Sequence, residues 1–128
     1  MTTPFWCLVA VIFIPIALAA VGGQFRSKAF GSADNKNPRA QATQLSDAGA
    51  RAYAAQENAW EAAIMFSVAV ITTHLAGLAP SEAAPFTIAF VVLRVVHGIS
   101  YIRDIDKVRS LSFLLGLVCM IALFVKAA

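Results

Sequence analysis

Polar and apolar positions fall in long blocks along this chain, not in the short periods of strands or of half-buried surface helices. Pro4 to Val21, PFWCLVAVIFIPIALAAV, contains no charged residue and is followed by Gly22-Gly23. About 20 helical residues cross a bilayer core of about 30 Å. The block therefore predicts a membrane helix over about 4–22, kinked at Pro15 as membrane helices tolerate. Its ALAA end also suits a signal-peptide cleavage site, but no Lys or Arg precedes the apolar run, so the helix is expected to be retained. Gln24 to Ser46 is polar, with Gly31, Asn35, Asn37 and Pro38 supplying turn chemistry. A second helix is predicted over about 47–78, capped by Ser46 or Asp47. It is longer than a bilayer needs, so its first turns should stand in headgroups or water. Leu78 to Glu82 reads as a short hairpin, followed by a third helix over about 81–103. Asp104 to Lys107 reads as a charged turn, and a fourth helix follows over about 109–125.

Composition turns these blocks into a fold class. Of 128 residues, 59% are hydrophobic and 13% charged, and the mean hydropathy is +0.74. A soluble domain of this size would need far more polar surface to cover itself. The chain therefore reads as a single all-α integral membrane domain, a four-transmembrane-helix bundle over residues 1–128. The formal net charge is +3. Lys and Arg gather in the first and third loops and are missing from the second. The positive-inside rule then places both charged loops in the cytoplasm and both termini outside. Used in this way the basic residues mark topology, and they give no sign of nucleic-acid binding. Cys7 and Cys119 lie in apolar runs without CxxC spacing, as inert buried thiols do. His74 has no Cys, Asp or Glu partner, so it reads as a hydrogen-bonded structural histidine and not as a metal ligand. No glycine-rich phosphate loop is present.

The second helix raises the chemical question, because QENAWEAAIMF puts Gln56, Glu57, Asn58 and Glu61 at its entry into the bilayer. Asn58 and Glu61 are three apart and share a helix face, and Arg51, seven before Asn58, extends that face. On the third helix Arg94, His97 and Tyr101 share a face that Asp104 continues. Glu61 lies 17 residues from Leu78, and Arg94 lies 14 from Pro80. At about 1.5 Å per residue both sit about 21 to 26 Å from the outer hairpin. An unpaired charge at the membrane centre costs at least about 3 kcal/mol, so a Glu61–Arg94 ion pair is expected. Taken singly, each residue has a plain structural use: a register-fixing pair, interhelical glue, an interface anchor or a topology charge. As a set they point to a polar ligand pocket open to the cytoplasm.

Three spaced motifs resemble those of the MAPEG family, the membrane-associated proteins in eicosanoid and glutathione metabolism. They are QxNxxE at Gln56, Asn58 and Glu61, RxxHxxxY at Arg94, His97 and Tyr101, and an Arg opening the fourth helix at Arg109-Ser110. Asn37-Pro38-Arg39 also fits, and the resemblance covers essentially the whole chain. It implies a homotrimer of four-helix subunits with glutathione between neighbouring subunits, near the cytoplasmic side. Gln56, Asn58 and Glu61, with Arg94, His97 and Tyr101, would line the glutathione site. Arg109 would sit near the thiol as the catalytic residue, and an apolar second substrate would arrive from the lipid. Two positions depart from the family pattern. Ala54 stands where an Arg usually lies four before the Asn, a role Arg51 would have to take from one turn earlier. Ile64 stands where a Pro follows the Glu.

Three functions of different kinds remain open on the sequence. One is a glutathione transferase or lipid-hydroperoxide peroxidase. Another is a non-catalytic accessory or scaffold subunit of a membrane complex. The third, a small multidrug transporter, fits least, because such proteins usually carry a membrane carboxylate on the first helix and this first helix has none.

Overall fold

A computed structural model describes residues 1–128. It is all helical: α1 (Thr3–Phe30), α2 (Pro38–Ala42), α3 (Asp47–Leu75), α4 (Pro80–Ile102) and α5 (Asp106–Ala127). The four long helices pack on one another, with α1 and α4 against α3, and α5 against α4. Three of them, α1, α4 and α5, are long and apolar enough to cross a membrane. The 29 residues of α3 have the length as well, but Asp47, Arg51, Glu57 and Glu61 fall in its first half.

Small residues let the helices approach closely, as membrane helices commonly do. The buried face of α3 carries Ala52, Ala55, Ala59, Ala62, Ala63 and Ala69. At mid-bundle Phe66 of α3 stacks on Phe90 of α4, with ring centroids 4.1 Å apart and planes 1° from parallel. Gly116 of α5 faces the Phe90 ring, where an added Cβ would stand 3.5 Å from it.

Several boundaries differ from the sequence reading. The first helix does not stop at Gly22-Gly23 but continues to Phe30. Gly22 is buried where the Tyr53 ring of α3 presses on the backbone; a Cβ there would lie 2.8 Å from Tyr53 Cε2. The glycine permits a close helix crossing and does not break the helix. Gly31, at φ 79°, is the residue that ends it. The extension carries Arg26, which is buried. Its Nη1 donates to the Asp34 carbonyl at 3.0 Å and to Gln41 Oε1 at 3.3 Å, and Gln41 Nε2 donates to the Ser32 carbonyl. The first loop is thereby tied back onto α1, and it contains the fifth helix, α2, where only turn chemistry was expected. Pro38 at its start has no N–H to lose there. Within this loop the backbone N–H groups of Lys36 and Asn37 donate to the Asp34 carboxylate and hold its pKa below the ordinary 3.8.

The expected side-chain cap on α3 does not form, because the Ser46 hydroxyl donates to Asp47 Oδ2 instead. At its other end α3 closes at Leu75, not Leu78. Gly77, at φ 92°, carries the chain round, while the N–H groups of Gly77 and Leu78 return to the carbonyls of His74 and Thr73. This is a Schellman motif, and it uses up the last residues that hydropathy had assigned to the helix. His74 makes no side-chain hydrogen bond, contrary to expectation; its exposed ring meets the edge of Phe5 at 4.9 Å. The fourth long helix starts at Asp106, one turn ahead of Arg109, because an acid in the first turn suits the helix dipole.

The paired glycines give a controlled test of the α1–α3 crossing. Gly22→Ala should cost about 1 to 3 kcal/mol, since the half-buried Tyr53 ring must move. Gly23→Ala, which meets nothing within 4 Å, should gain up to about 1 kcal/mol from helix propensity. Thermal unfolding in detergent reads both. Equal effects at the two sites would mean that the crossing is not set by the missing Cβ.

Candidate active site

The site begins with one buried cation. Arg94 on α4 is only 3% exposed. Its Nη2 donates to Asn58 Oδ1 at 2.6 Å and lies 3.4 Å from the Asn58 carbonyl, across the α3–α4 contact. Its Nε has no partner. The expected Glu61–Arg94 ion pair is not made: the two ion pairs of the chain join Arg51 to Asp104 and Lys126 to Glu82. The depths of Glu61 and Arg94 match, but their azimuths do not. Asn58, one turn before Glu61, turns its amide into the bundle, while Glu61 is exposed on the outer face of α3. A neutral amide therefore holds the guanidinium, and no carboxylate does.

One turn along α4, His97 is buried beside Arg94 with Nδ1 unpartnered. Its ring makes an edge contact with Tyr101 at 5.7 Å and a tilted one with Phe113 of α5 at 6.3 Å. The Arg109 guanidinium lies 4.7 Å from the Tyr101 ring centroid, a cation–π contact worth about 0.5 to 1 kcal/mol where exposed. Asn58, His97, Tyr101, Arg109, Ser110 and Phe113 line an open cleft of about 360 Å3 between α3, α4 and α5. Arg94 does not line the cleft itself; it is bonded to Asn58, which does.

Four of the eight residues singled out in the sequence thus share one cleft, and Arg94 backs it. The other three stand elsewhere. Gln56 lines a separate cleft of about 640 Å3 between α2 and α3, together with Arg39, Tyr53, Ala54, Glu57 and Trp60. Glu61 lines neither. Arg51 turns toward the end of α4, where its Nε donates to the Ile102 carbonyl at 3.1 Å and its Nη1 lies 3.7 Å from Asp104 Oδ2. Three lining residues were not singled out as site residues: Ser110, named only as the neighbour of Arg109, Phe113 and Leu114. All three belong to an apolar-looking α5, and only the i, i+4 spacing of Phe113 from Arg109 hinted at a shared face.

Chemically, the cleft offers one cation, Arg109, with a second, Arg94, bonded to its Asn58, together with two hydroxyls, a buried imidazole and the aromatic rings of Tyr101 and Phe113. Such a set suits an anionic ligand whose reactive end lies against Arg109 and the first turns of α5, where the helix dipole favours negative charge.

Comparison with known proteins bears on the family of the chain. No curated protein matches the chain. The model of the MAPEG family matches residues 3–128, which takes in all five helices and every residue of the cleft, and the chain belongs to that family.

Proposed function

We propose that the α3–α4–α5 cleft binds glutathione and that the chain is a membrane glutathione transferase or lipid-hydroperoxide peroxidase acting on apolar electrophiles. The observation that carries this reading is Arg94. A buried guanidinium held only by the neutral oxygens of Asn58, with a free Nε, is stabilised when an anion completes its shell. Glutathione has two carboxylates, an ammonium and a thiol, and the residues present fit those groups. Arg94 and Asn58 suit a carboxylate. Arg109 suits the sulfur, because a neighbouring cation lowers a thiol pKa and the thiolate is the nucleophile. Bound glutathione would supply that sulfur, while this chain holds the cation beside it and keeps the imidazole and phenol of His97 and Tyr101 along the wall.

A volume of about 360 Å3 sits at the low end of ligand pockets, about 300 to 1,000 Å3. Exposed Glu61 and the separately placed Gln56 would reach such a ligand across a subunit boundary, which supports a homotrimer with shared sites. Glu61 would then hold the ammonium. In this reading α3 is the fourth crossing, its charged first half lies at the cytoplasmic end, and both termini lie outside. A non-catalytic accessory role is the second reading. Ala54 and Ile64, the two departures from the family pattern, favour it, since both lie on the helix that carries Asn58.

Calorimetry on the detergent-purified protein tests the main reading. Saturable glutathione binding is expected, weakened roughly thirtyfold in Arg94→Ala, about 2 kcal/mol. Arg109→Ala should bind nearly as well but lose turnover with a model electrophile. Absence of binding to the folded wild type would overturn the reading.

Asn58→Asp separates the ligand role of Arg94 from its structural one. The new carboxylate should pair with Arg94, raise thermal stability by about 1 kcal/mol and abolish glutathione binding. Binding that survives this change would show that Arg94 does not receive the ligand.

A further inference from the structure

The α4–α5 turn is built like the α3–α4 turn, with one difference. Both are Schellman motifs. In the first, Gly77 takes the left-handed position at φ 92°; in the second, Asp104 takes it at φ 60°. The Asp104 N–H donates to the Tyr101 carbonyl and the Ile105 N–H to the Ser100 carbonyl. A left-handed backbone is costly for a residue with a Cβ and nearly free for glycine. The motif also leaves the Ile102 carbonyl without a backbone partner. Arg51 reaches across from α3 to that carbonyl and to the Asp104 side chain. Its Nε donates to the Ile102 carbonyl at 3.1 Å, and its Nη1 stands 3.7 Å from the Asp104 carboxylate. The ion pair is largely exposed and weak by itself. The carbonyl bond is the stronger element, because a cation there also meets the negative end of the α4 dipole.

The strapped segment lies between the two sides of the candidate site. Tyr101 precedes it on α4, Arg109 follows it on α5, and the guanidinium–ring contact at 4.7 Å spans it. We propose that Arg51 is a positioning residue that locks the α4–α5 turn and so holds Arg109 against Tyr101 at the sulfur end of the cleft. Its importance for turnover rests on the glutathione reading; its clamping of the turn does not. Arg51 then contributes through geometry, and it does not replace the arginine missing at Ala54.

The test compares Arg51→Ala, Arg51→Lys and Asp104→Asn with the full-length wild type in detergent, by three readouts. Amide hydrogen exchange at Asp104 and Ile105 should accelerate at least about tenfold in Arg51→Ala. It should be partly restored in Arg51→Lys, since an ammonium can serve the carbonyl or the carboxylate but lacks the fork to serve both. The Arg109 guanidinium resonance, ring-shifted by Tyr101, should move toward its free value in Arg51→Ala. Glutathione affinity should stay within about twofold while kcat falls about tenfold, with Asp104→Asn shifting in the same direction. Unchanged exchange and an unmoved Arg109 resonance in Arg51→Ala would overturn the proposal. So would a tenfold loss of glutathione affinity with exchange intact, which would make Arg51 a ligand contact. If the wild type fails to bind glutathione, the functional reading falls, and exchange and the Arg109 resonance still decide the clamp.

Discussion

A guanidinium inside a helix bundle is the constraint around which the polar half of this molecule is arranged. Arg94 is only 3% exposed, and burying a guanidinium without polar partners is costly. It must be answered by a polar group on a neighbouring helix. The answering group is Asn58, and the 2.6 Å bond between them fixes the rotation of α3 against α4. Several other placements follow from that rotation. Alanines of α3 fall on the inner face, allowing α1 to cross at Gly22. Phe66 comes to lie flat on Phe90 two turns further along. Glu57 and Glu61 are sent to the outer face, where they are exposed.

The helices themselves were largely legible in the sequence, because long apolar blocks between Gly, Pro and charged turns leave few other solutions in lipid. The failures share a physical cause. Hydropathy measures solvent preference, and the boundaries depend on backbone geometry. Gly22-Gly23 looked like a stop and is a crossing point, whose reason is a tyrosine ring thirty-one residues away. Leu78 looked helical and is the closing residue of a Schellman turn. The helix Pro38–Ala42 was hidden because a five-residue piece has no periodicity to read; it is located by Arg26, which holds Gln41 from α1.

The candidate site was legible in membership more than in pairing. Spacing by three and four placed Asn58, Arg94, His97 and Tyr101 on facing sides of two antiparallel helices, and they do meet. The same arithmetic chose Glu61 as the partner of Arg94 because depth is one coordinate and azimuth another. A carboxylate three residues beyond the amide is about 60° short of a full turn from it, enough to carry it out of the bundle. Arg51 failed in the opposite way. It shares the face of Asn58, but its long side chain follows the helix toward a free carbonyl at the end of α4, a need visible only once the turn is seen.

The allocation of charge among the arginines links these points to chemistry. Arg51 has a carboxylate partner in Asp104 and a helix-terminal carbonyl besides. Arg26 has a carbonyl and an amide in a folded loop. Arg94 and Arg109 likewise have neutral partners: the amide and carbonyl of Asn58 for the first, the Tyr101 ring for the second. Arg109 also stands near the start of α5, the end of a helix that disfavours a cation. Purely structural arginines in a low-dielectric bundle gain most from carboxylates, and this chain has carboxylates close by in sequence at Glu61, Asp104 and Asp106. It turns Glu61 outward, commits Asp104 to Arg51, and keeps Asp106 for the helix start. Two cations with neutral partners, Arg109 in the cleft and Arg94 behind Asn58, give a surface whose electrostatic free energy falls when an anion enters. A single Glu61 rotated inward would fix the register as well and would neutralise Arg94, whereas the observed pairing with Asn58 leaves that charge available.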